Sequence, residues 1–423
     1  MELKPGYKQT EVGVIPEDWD LYSGEQVTSL IGKGSSPRWQ GFAYTTDGML
    51  FVTSENVRDG HLDVRRPKYL PLSFHDKLKR TRLKKLDILV NLVGASIGRS
   101  CQVKFDPGEA NVNQAVAVFR VTDSYCSEFI AFYLQSQEAV KRILDMQVDA
   151  ARPNISLSDL RRFQIPVPPR REQVSIAGLL ESASLLDSSI ECLITKKLQI
   201  RQAAMQELLT GKRRLPGFEG EWEVKRLGDH VRFLKNGVNS RAELYPGACV
   251  RYLHYGDIHA SSGSFLSPQD LTGLPVDKAT GLDRLQDGDL IFADASEDIA
   301  GVSKSVELCG ISDYEAVSGL HTIAARFDKT VLADGFKGFL QYVPSFSAHL
   351  RRLAAGTKVY ATNRSHISSA EVRLPTVAEQ KAIAEVLMDM SNEIGLLRER
   401  MKKACSTKQG MMQQLLTGKI RLT

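Results

Sequence analysis

No stretch of this chain approaches the eighteen or so uninterrupted apolar residues that a membrane-spanning helix needs. The opening "MELKPGYKQTEVGVIPEDW" has no apolar core of the kind a signal peptide carries, so a cytoplasmic protein with no membrane partner is expected. Cysteines are few and scattered. Cys101, Cys126, Cys192, Cys249, Cys309 and Cys405 lie at least 25 residues apart, which excludes the close pairs of a zinc site or a thiol redox motif; they are expected to be reduced and mostly buried. A dominant charge is lacking too: 55 Lys and Arg face 50 Asp and Glu, and the net of +5 is too mild to imply nucleic acid by itself.

Catalytic motifs are equally scarce. "TGK" (210–212 and 417–419) lacks the upstream glycine and following Ser or Thr of a phosphate-binding loop. There is no Asn-Pro-Pro-aromatic tetrapeptide or glycine-rich cofactor loop of a methyltransferase, and His254 and His259 have no third ligand nearby in sequence. The one foothold for an enzyme is "GASIG" (94–98), a G-x-S-x-G that would make Ser96 the nucleophile of a serine hydrolase. That motif needs a helix directly after the serine, whereas "RSCQVKF" reads as a strand, and the equivalent place later in the chain, "ASEDIAG", lacks the first glycine. No catalytic residue and no metal is expected.

What the sequence does have is a repeat. "QELLTGKRRL" (206–215) returns as "QQLLTGKIRL" (413–422), and at the same offset of 207 Glu172-Gln173 meets Glu379-Gln380, Ile176-Ala177 meets Ile383-Ala384, Leu180 meets Leu387 and Pro168 meets Pro375. Farther upstream the likeness thins: Trp19 pairs with Trp222, and Ser36-Pro37-Arg38 with Asn239-Ser240-Arg241. A duplicated unit of roughly 205 residues follows, within a length and a 42% hydrophobic content suited to two or three folded domains.

Each copy ends in a long helical pattern. Apolar residues at Ile176, Leu179, Ala183, Leu186, Ile190 and Leu193, then Ile200 and Ala204, alternate steps of three and four, the spacing of a coiled-coil seam. The second copy is rougher, with Ile383, Val386, Met390, Ile394, Leu397, Met401 and Ala404. Prolines in "IPVPP" and "RLP" precede the helices, and Gly211 and Gly418 suit their ends. About forty residues at 1.5 Å each span about 60 Å, more than a domain needs for its own core, so the helices are expected to pair with each other as spacers. Upstream of each, β-rich runs such as "LDILVNLV", "AVAVFRV", "DLIFADAS" and "HTIAARF" alternate with turn residues. The expected fold class is α+β: two mixed α/β lobes and two long helices in an antiparallel coiled coil, with an internal pseudo-two-fold repeat. The expected division is 1–165 and 213–372 for the lobes, 166–212 and 373–423 for the helical regions.

The lobes carry loops whose chemistry suits nucleic acid. "GKGSSPRWQ" supplies Lys33, Ser35, Arg38 and Trp39, and "KNGVNSRAELY" supplies Lys235, Asn239 and Arg241. Further candidates are Asn91, Ser96 and Arg99 in "NLVGASIGRS", Arg152 and Asn154 in "DAARPNIS", and Lys358, Tyr360, Asn363 and Arg364 in "GTKVYATNRSH". Arg suits a guanine edge, Asn an adenine edge and Lys a phosphate. Any single loop of this kind is more often a solvated turn; recurrence at matching points of both copies is what raises the group.

Two diverged lobes, each followed by a helix bearing "P…EQ..IA..L" and closing in "LLTGK.RL", resemble the specificity subunit of type I restriction-modification systems, the HsdS family. "GYKQTEVGVIPEDW" is similar to that family's opening and "LPGFEGEWEVKRLGD" to the start of its second half. The resemblance implies a non-catalytic DNA reader: two target recognition domains, each reading half of a bipartite double-stranded DNA target, held by the paired helices. It also implies two methyltransferase subunits that dock on the helical regions and two restriction subunits. S-adenosylmethionine, ATP and Mg would be bound by those partners and no cofactor by this chain. A coiled-coil adaptor without base readout is the competing expectation.

Overall fold

The computed structural model describes residues 5–147, 154–261, 263–354, 356 and 359–422. They form two compact units, Met1–Glu191 with Glu399–Thr423, and Cys192–Arg398. Both units mix helix and sheet.

The first unit is built on an antiparallel sheet of β1 (Thr28–Lys33), β2 (Ile88–Asn91), β3 (Ser100–Gln102) and β4 (Val116–Val121), in the order β1-β4-β2-β3. All four residues of β2 are buried, which explains why "ILVN" reads as a continuous run rather than an alternation. A three-stranded sheet lies beside it, with Met49–Val52 at its centre and parallel to Ala110–Val112. The second unit repeats this plan. β5 (Val231–Phe233), β6 (Leu290–Ala293), β7 (Ser305–Leu308) and β8 (Thr322–Phe327) run in the order β5-β8-β6-β7, followed by the short strand Phe265–Leu266. Its three-stranded companion centres on Val250–Leu253, parallel to Glu315–Ser318.

One buried ion pair recurs in both sheets. Arg120 on β4 donates to both oxygens of Asp87 at 2.7 and 2.8 Å and to the Arg82 carbonyl at 2.8 Å. Arg326 on β8 donates to Asp289 at 2.8 and 2.7 Å and to the Arg284 carbonyl at 2.9 Å. Both carboxylates are buried, so each needs its guanidinium to remain charged inside the unit.

The stretch "EFIAFYLQSQEAVKRIL", apolar and polar in a continuous helical pattern, forms two helices, Ser127–Gln135 and Gln137–Asp145. Ser136 interrupts it because its hydroxyl caps the second helix by accepting from the Ala139 N–H. In the second unit the corresponding segment breaks before Pro344, between a 3-10 stretch and the helix Pro344–Leu353.

A two-stranded ribbon leads into each long helix: Gln164–Val167 pairs with Asp20–Ser23, and Glu371–Leu374 with Glu223–Arg226. The helices themselves are α1 (Arg170–Leu208) and α2 (Val377–Leu415), 39 residues each. The repeated letters at their ends make the same knot twice. In the first unit Arg421, just past α2, donates to Glu172 in the first turn of α1 at 2.8 and 2.9 Å and to Asp18 at 2.8 and 2.6 Å. The Trp19 indole N–H joins at 3.2 Å from Glu172. In the second unit Arg214, past α1, holds Glu379 at the start of α2 with its Nη2 2.7 Å away. Gly418 and Gly211 have φ of 69° and 70°, so conformation favours glycine at both; a Cβ at 418 would also run into the Pro16 ring at 2.5 Å, and one at 211 would press on the Trp222 ring at 3.3 Å. Gln173 and Gln380 finish the knots by accepting from the Cys126 and Ala333 N–H groups, each at 2.8 Å.

Within each unit the start of one long helix therefore lies against the end of the other. Lys408 bonds Asp187 in the first unit and Lys197 bonds Glu393 in the second. The buried line on α1 differs from the expected seam. Ile176, Ala183 and Ile190 turn inward, but the intervening positions are Leu180, Asp187, Ile194 and Arg201, one residue on from the leucines the pattern favours. Leu179, Leu186, Leu193 and Ile200 are 41–46% exposed. From Ile176, steps of three or four both keep a heptad, and apolar identity selected the wrong one because two inward positions are charged. Asp187 and Arg201 are tolerated there because Lys408 and the Ser391 hydroxyl face them. On α2, Ile383, Met390, Ile394 and Leu397 are buried or half-buried, and Leu387 lies fully inside beside the half-buried Val386.

Two cysteines, Cys101 and Cys126, are buried; Cys192, Cys249, Cys309 and Cys405 are exposed, contrary to the expected burial of most of them, and all six are free thiols. Four lie on helix faces or strand ends that water reaches, which spacing along the chain does not reveal. Among the described residues no helix is long and apolar enough to cross a membrane.

Candidate nucleic-acid interface

Antiparallel register gathers the loops of each unit at one end of its main sheet. In the first unit β1 finishes at Lys33 opposite Ala117, β2 finishes at Asn91 opposite Val116, and β3 begins at Ser100 opposite Val90. The loops that follow β1 and β2 leave that end together, and Asn154 joins them through its bridge to Val93. Arg152 and Lys358 lie outside the described residues.

The loop after β1 turns at Gly34, where a Cβ would sit 1.6 Å from the Val112 carbonyl oxygen. Ser35 accepts from the Gln40 amide at 3.3 Å, and a 3-10 turn over Arg38–Gln40 closes on Gly41 in the left-handed region. That turn lifts Arg38 and Trp39 into solvent, with Trp39 90% exposed. Among the described residues, the side chains of Lys33, Arg38 and Trp39 have no hydrogen-bond or ion-pair partner. Asn91 is different. It is fully buried, donating to the Ser54 carbonyl and the Ser96 hydroxyl at 3.0 Å each; it ties the loop after Met49–Val52 to the loop after β2 and is not presented to a base. Arg99 is half-buried and paired with Asp59 at 3.2 Å. Ser96 ends a 3-10 turn and is followed by strand β3, so the helix that a nucleophile elbow requires is replaced by a strand.

In the second unit β5 finishes at Phe233 opposite Ala325, β6 at Ala293 opposite Thr322, and β7 begins at Ser305 opposite Phe292. The same end carries Lys235, Asn239, Arg241, Tyr360, Asn363 and Arg364, but these side chains are more engaged. Arg241 is exposed yet bonded to Asp257 at 2.6 Å. Asn239 donates to Glu243 at 3.0 Å, and Lys278, Asn239 and the Ser240 N–H together hold the Glu243 carboxyl down at about 2. Arg364 donates to the Leu234 carbonyl at 2.9 Å and lies over the Phe233 ring. Asn363 caps the following helix by accepting from the His366 N–H, and Tyr360 is half-buried against the core. Lys235 is exposed, its backbone N–H fixed by Asp283. Of the two histidines in "HYGDIH", His254 caps the helix Tyr255–Ala260 and the His259 ring meets the Ala295 carbonyl.

Sequence reading overlooked two cationic features of the first unit. One is a hollow of about 600 Å³ lined by Arg58, Arg65, Arg66 and Lys68 together with Glu55 and Asp63. The other is the segment 75–85, "HDKLKRTRLKK", which a count of charge in a sliding window would have found.

The comparisons with known proteins are consistent among themselves. Residues 42–200 match the family model described as type I restriction modification DNA specificity domain. The type I restriction enzyme MjaVIII specificity subunit of Methanocaldococcus jannaschii is 26% identical over 96% of this chain and 94% of its own length. The EcoKI specificity subunit of Escherichia coli K12 is 22% identical over 97% and 90%. Over nearly its whole length the chain is similar to specificity subunits of type I restriction enzymes. A crystal structure of the S subunit from M. genitalium superimposes with a TM-score of 0.59 at 13% identity, covering 98% of both chains. A chain from a study of complex assembly and conformational transition in a type I system gives 0.59 at 14% identity, over 96% and 99%. At these identities the two structures speak for the fold. The family match begins at residue 42, so the exposed Arg38–Trp39 turn lies just before it.

Proposed function

We propose that this chain is the sequence-reading subunit of a type I restriction-modification complex, with each unit reading one half of a bipartite duplex target from the loop-bearing end of its main sheet. The observation that carries the reading is the solvent-projecting Arg38–Trp39 turn, whose two side chains have no partner among the described residues, set at the equivalent sheet end to that from which the second unit presents Lys235 and Arg241. α1 and α2 act as an antiparallel coiled coil, and the duplicated knots at their ends give the scaffold an approximate two-fold repeat. Regions 166–212 and 373–423 are the scaffold; 1–165 and 213–372 are the readers.

Two equivalent knots offer the same surface twice, so two methyltransferase subunits dock on the scaffold, and two restriction subunits join them. S-adenosylmethionine, ATP and Mg belong to those partners, and the complex works in the cytoplasm, where its DNA lies. Phosphate contacts supply affinity without sequence, while groove-edge contacts discriminate.

Mapping methylated adenines in cells carrying the chain with its methyltransferase tests this reading. A bipartite motif is expected, and Arg38→Ala should relax one half of it, lowering discrimination at one base pair by about 1–3 kcal/mol, while Arg241→Ala relaxes the other half. Methylation without a split motif would overturn the proposal.

A further inference from the structure

The segment 75–85 holds six cations, Lys77, Lys79, Arg80, Arg82, Lys84 and Lys85, against the single anion Asp76. That excess of five equals the +5 of the whole chain, so the remaining residues balance. Five of the six cations are exposed, and among the described residues only Arg82 forms an ion pair, with Asp76 at 2.8 Å. Like charges crowded this closely repel one another and are retained at a cost unless an anion lies against them.

The segment is fixed rather than loose. Phe74 is fully buried and meets Phe42 edge-on at 5.2 Å and Phe51 at 5.6 Å. The Asn111 amide donates to the Leu78 carbonyl at 3.0 Å, and the Leu83 N–H donates to the Ala110 carbonyl at 2.9 Å. Lys77 lies 4.9 Å from the centre of the Phe42 ring. Phe42 follows the Arg38–Gln40 turn, and Phe42 N–H bonds back to the Pro37 carbonyl at 2.9 Å. Lys77, Lys79 and Arg80 are thus carried on the same packed cluster that supports the exposed Arg38 and Trp39.

The second unit has the same backbone without the charge. Leu285 N–H bonds the Ala316 carbonyl as Leu83 bonds Ala110, and the N–H of Gln286 bonds Asp289 at 2.8 Å as that of Lys84 bonds Asp87 at 2.7 Å. Its equivalent stretch, 277–287, "DKATGLDRLQD", has two cations and three anions, and both cations are paired, Lys278 with Glu243 and Arg284 with Glu315. The hollow lined by Arg58 and Lys68 is also partly neutralised, by Asp63 on Arg65 and Glu55 on Lys68.

We infer that residues 77–85 are a phosphate-binding rail for the DNA backbone beside the Arg38–Trp39 turn, and that the first unit supplies most of the chain's sequence-independent grip while the second contributes mainly discrimination. This rests on the DNA-reading function proposed above. Lys77, Lys79 and Arg80 contact backbone phosphates next to the bases read by the turn, and the rail continues through Lys84 and Lys85 along the edge strand β1.

The test is the salt dependence of duplex binding by the full chain assembled with its methyltransferase subunit. Each phosphate neutralised contributes about −0.9 to the slope of log K against log salt, so K77Q/K79Q/R80Q should flatten that slope by about 2.7. Between 50 and 200 mM salt the variant should then lose about 40-fold less affinity than the parent, with its preference between target and unrelated duplex unchanged. K278Q/R284Q in the second unit should leave the slope as it was. An unchanged slope in the triple variant, or an equal loss in the second-unit variant, overturns the rail. Loss of the methyltransferase with an unaltered slope would make the segment a protein-docking surface and overturn it equally. A parent complex that lacks any preference for a split sequence, while the triple variant still flattens the slope, would sink the reading function and leave the rail standing.

Discussion

Arg421 and Arg214 carry a burden that their place in the repeated letters does not reveal. Glu172 is buried to within 3%, and its two oxygens accept from Trp19, the Leu422 N–H and two nitrogens of Arg421. Truncating the guanidinium leaves a carboxylate inside the unit without its counter-charge, and removing one partner of a buried pair costs about 3 kcal/mol or more. Arg421→Ala is therefore expected to destabilise the first unit by about 3 kcal/mol, with Arg214→Ala doing the same to the second, as read from chemical denaturation. Arg421 also holds the Asp18 carboxyl below its ordinary range. A lowered folded-state value means stability that is present above the unfolded value and lost as pH falls through the folded one, so the variant should show a shallower loss in acid. An acid limb identical to the parent's would remove Asp18 from the account. The sequence shows that Glu172, Trp19 and "LLTGK.RL" recur, and recurrence points to a shared task. It is silent on the contact itself, because residues 18, 172 and 421 meet only once the chain has folded.

At the scale of the element, the long helices were legible in length, position and ends, since a period near 3.5 sustained over about forty residues leaves few alternatives. Their inward face was half legible. Ile176, Ala183 and Ile190 lie inside as the heptad requires, but a charged residue at an inward position, Asp187 or Arg201, breaks the apolar rule on which the reading depends. β2, β4, β6 and β8 were legible in their β-branched runs and β3 in "RSCQVKF", whereas β1, β5 and β7 carry no such run and were not read, and the breaks at Ser136 and Pro344 were missed because a cap in mid-pattern resembles a polar face. The corrected seam is open to measurement. Leu180→Ala removes a fully buried side chain and should cost about 2–5 kcal/mol, whereas Leu186→Gln, on an exposed position, should stay within about 0.5 kcal/mol. Equal losses at both would restore the original seam. The candidate loops behave in the opposite way: their residue types were visible, but Asn91 and Arg364 are spent on holding loops together, and only the hydrogen bonds they make in the fold distinguish them from Arg38.

For the whole molecule, the duplication separates what must match from what must differ. If the knots dock a partner twice, as proposed, they have to be equal, and Glu172, Gln173, Gly211 and their counterparts are; loops proposed to read different bases have no such requirement, and the cationic segment 77–85 has no copy at all. If the paired helices set the distance between two half-sites, their length is written into the target. Removing one residue from a helix rotates everything after it by about 100°, whereas removing a whole heptad from both α1 and α2 preserves the seam and shortens the scaffold by about 10 Å at 1.5 Å per residue. With base pairs stacked about 3.4 Å apart, the preferred gap between half-sites should contract by about three base pairs, while the bases within each half remain the same. Sequencing of methylated adenines made by the shortened chain reads both quantities at once. A contracted gap with intact half-sites supports the helices as a ruler; an unchanged gap in a folded, active variant would mean that spacing is set by the partners or by the DNA itself.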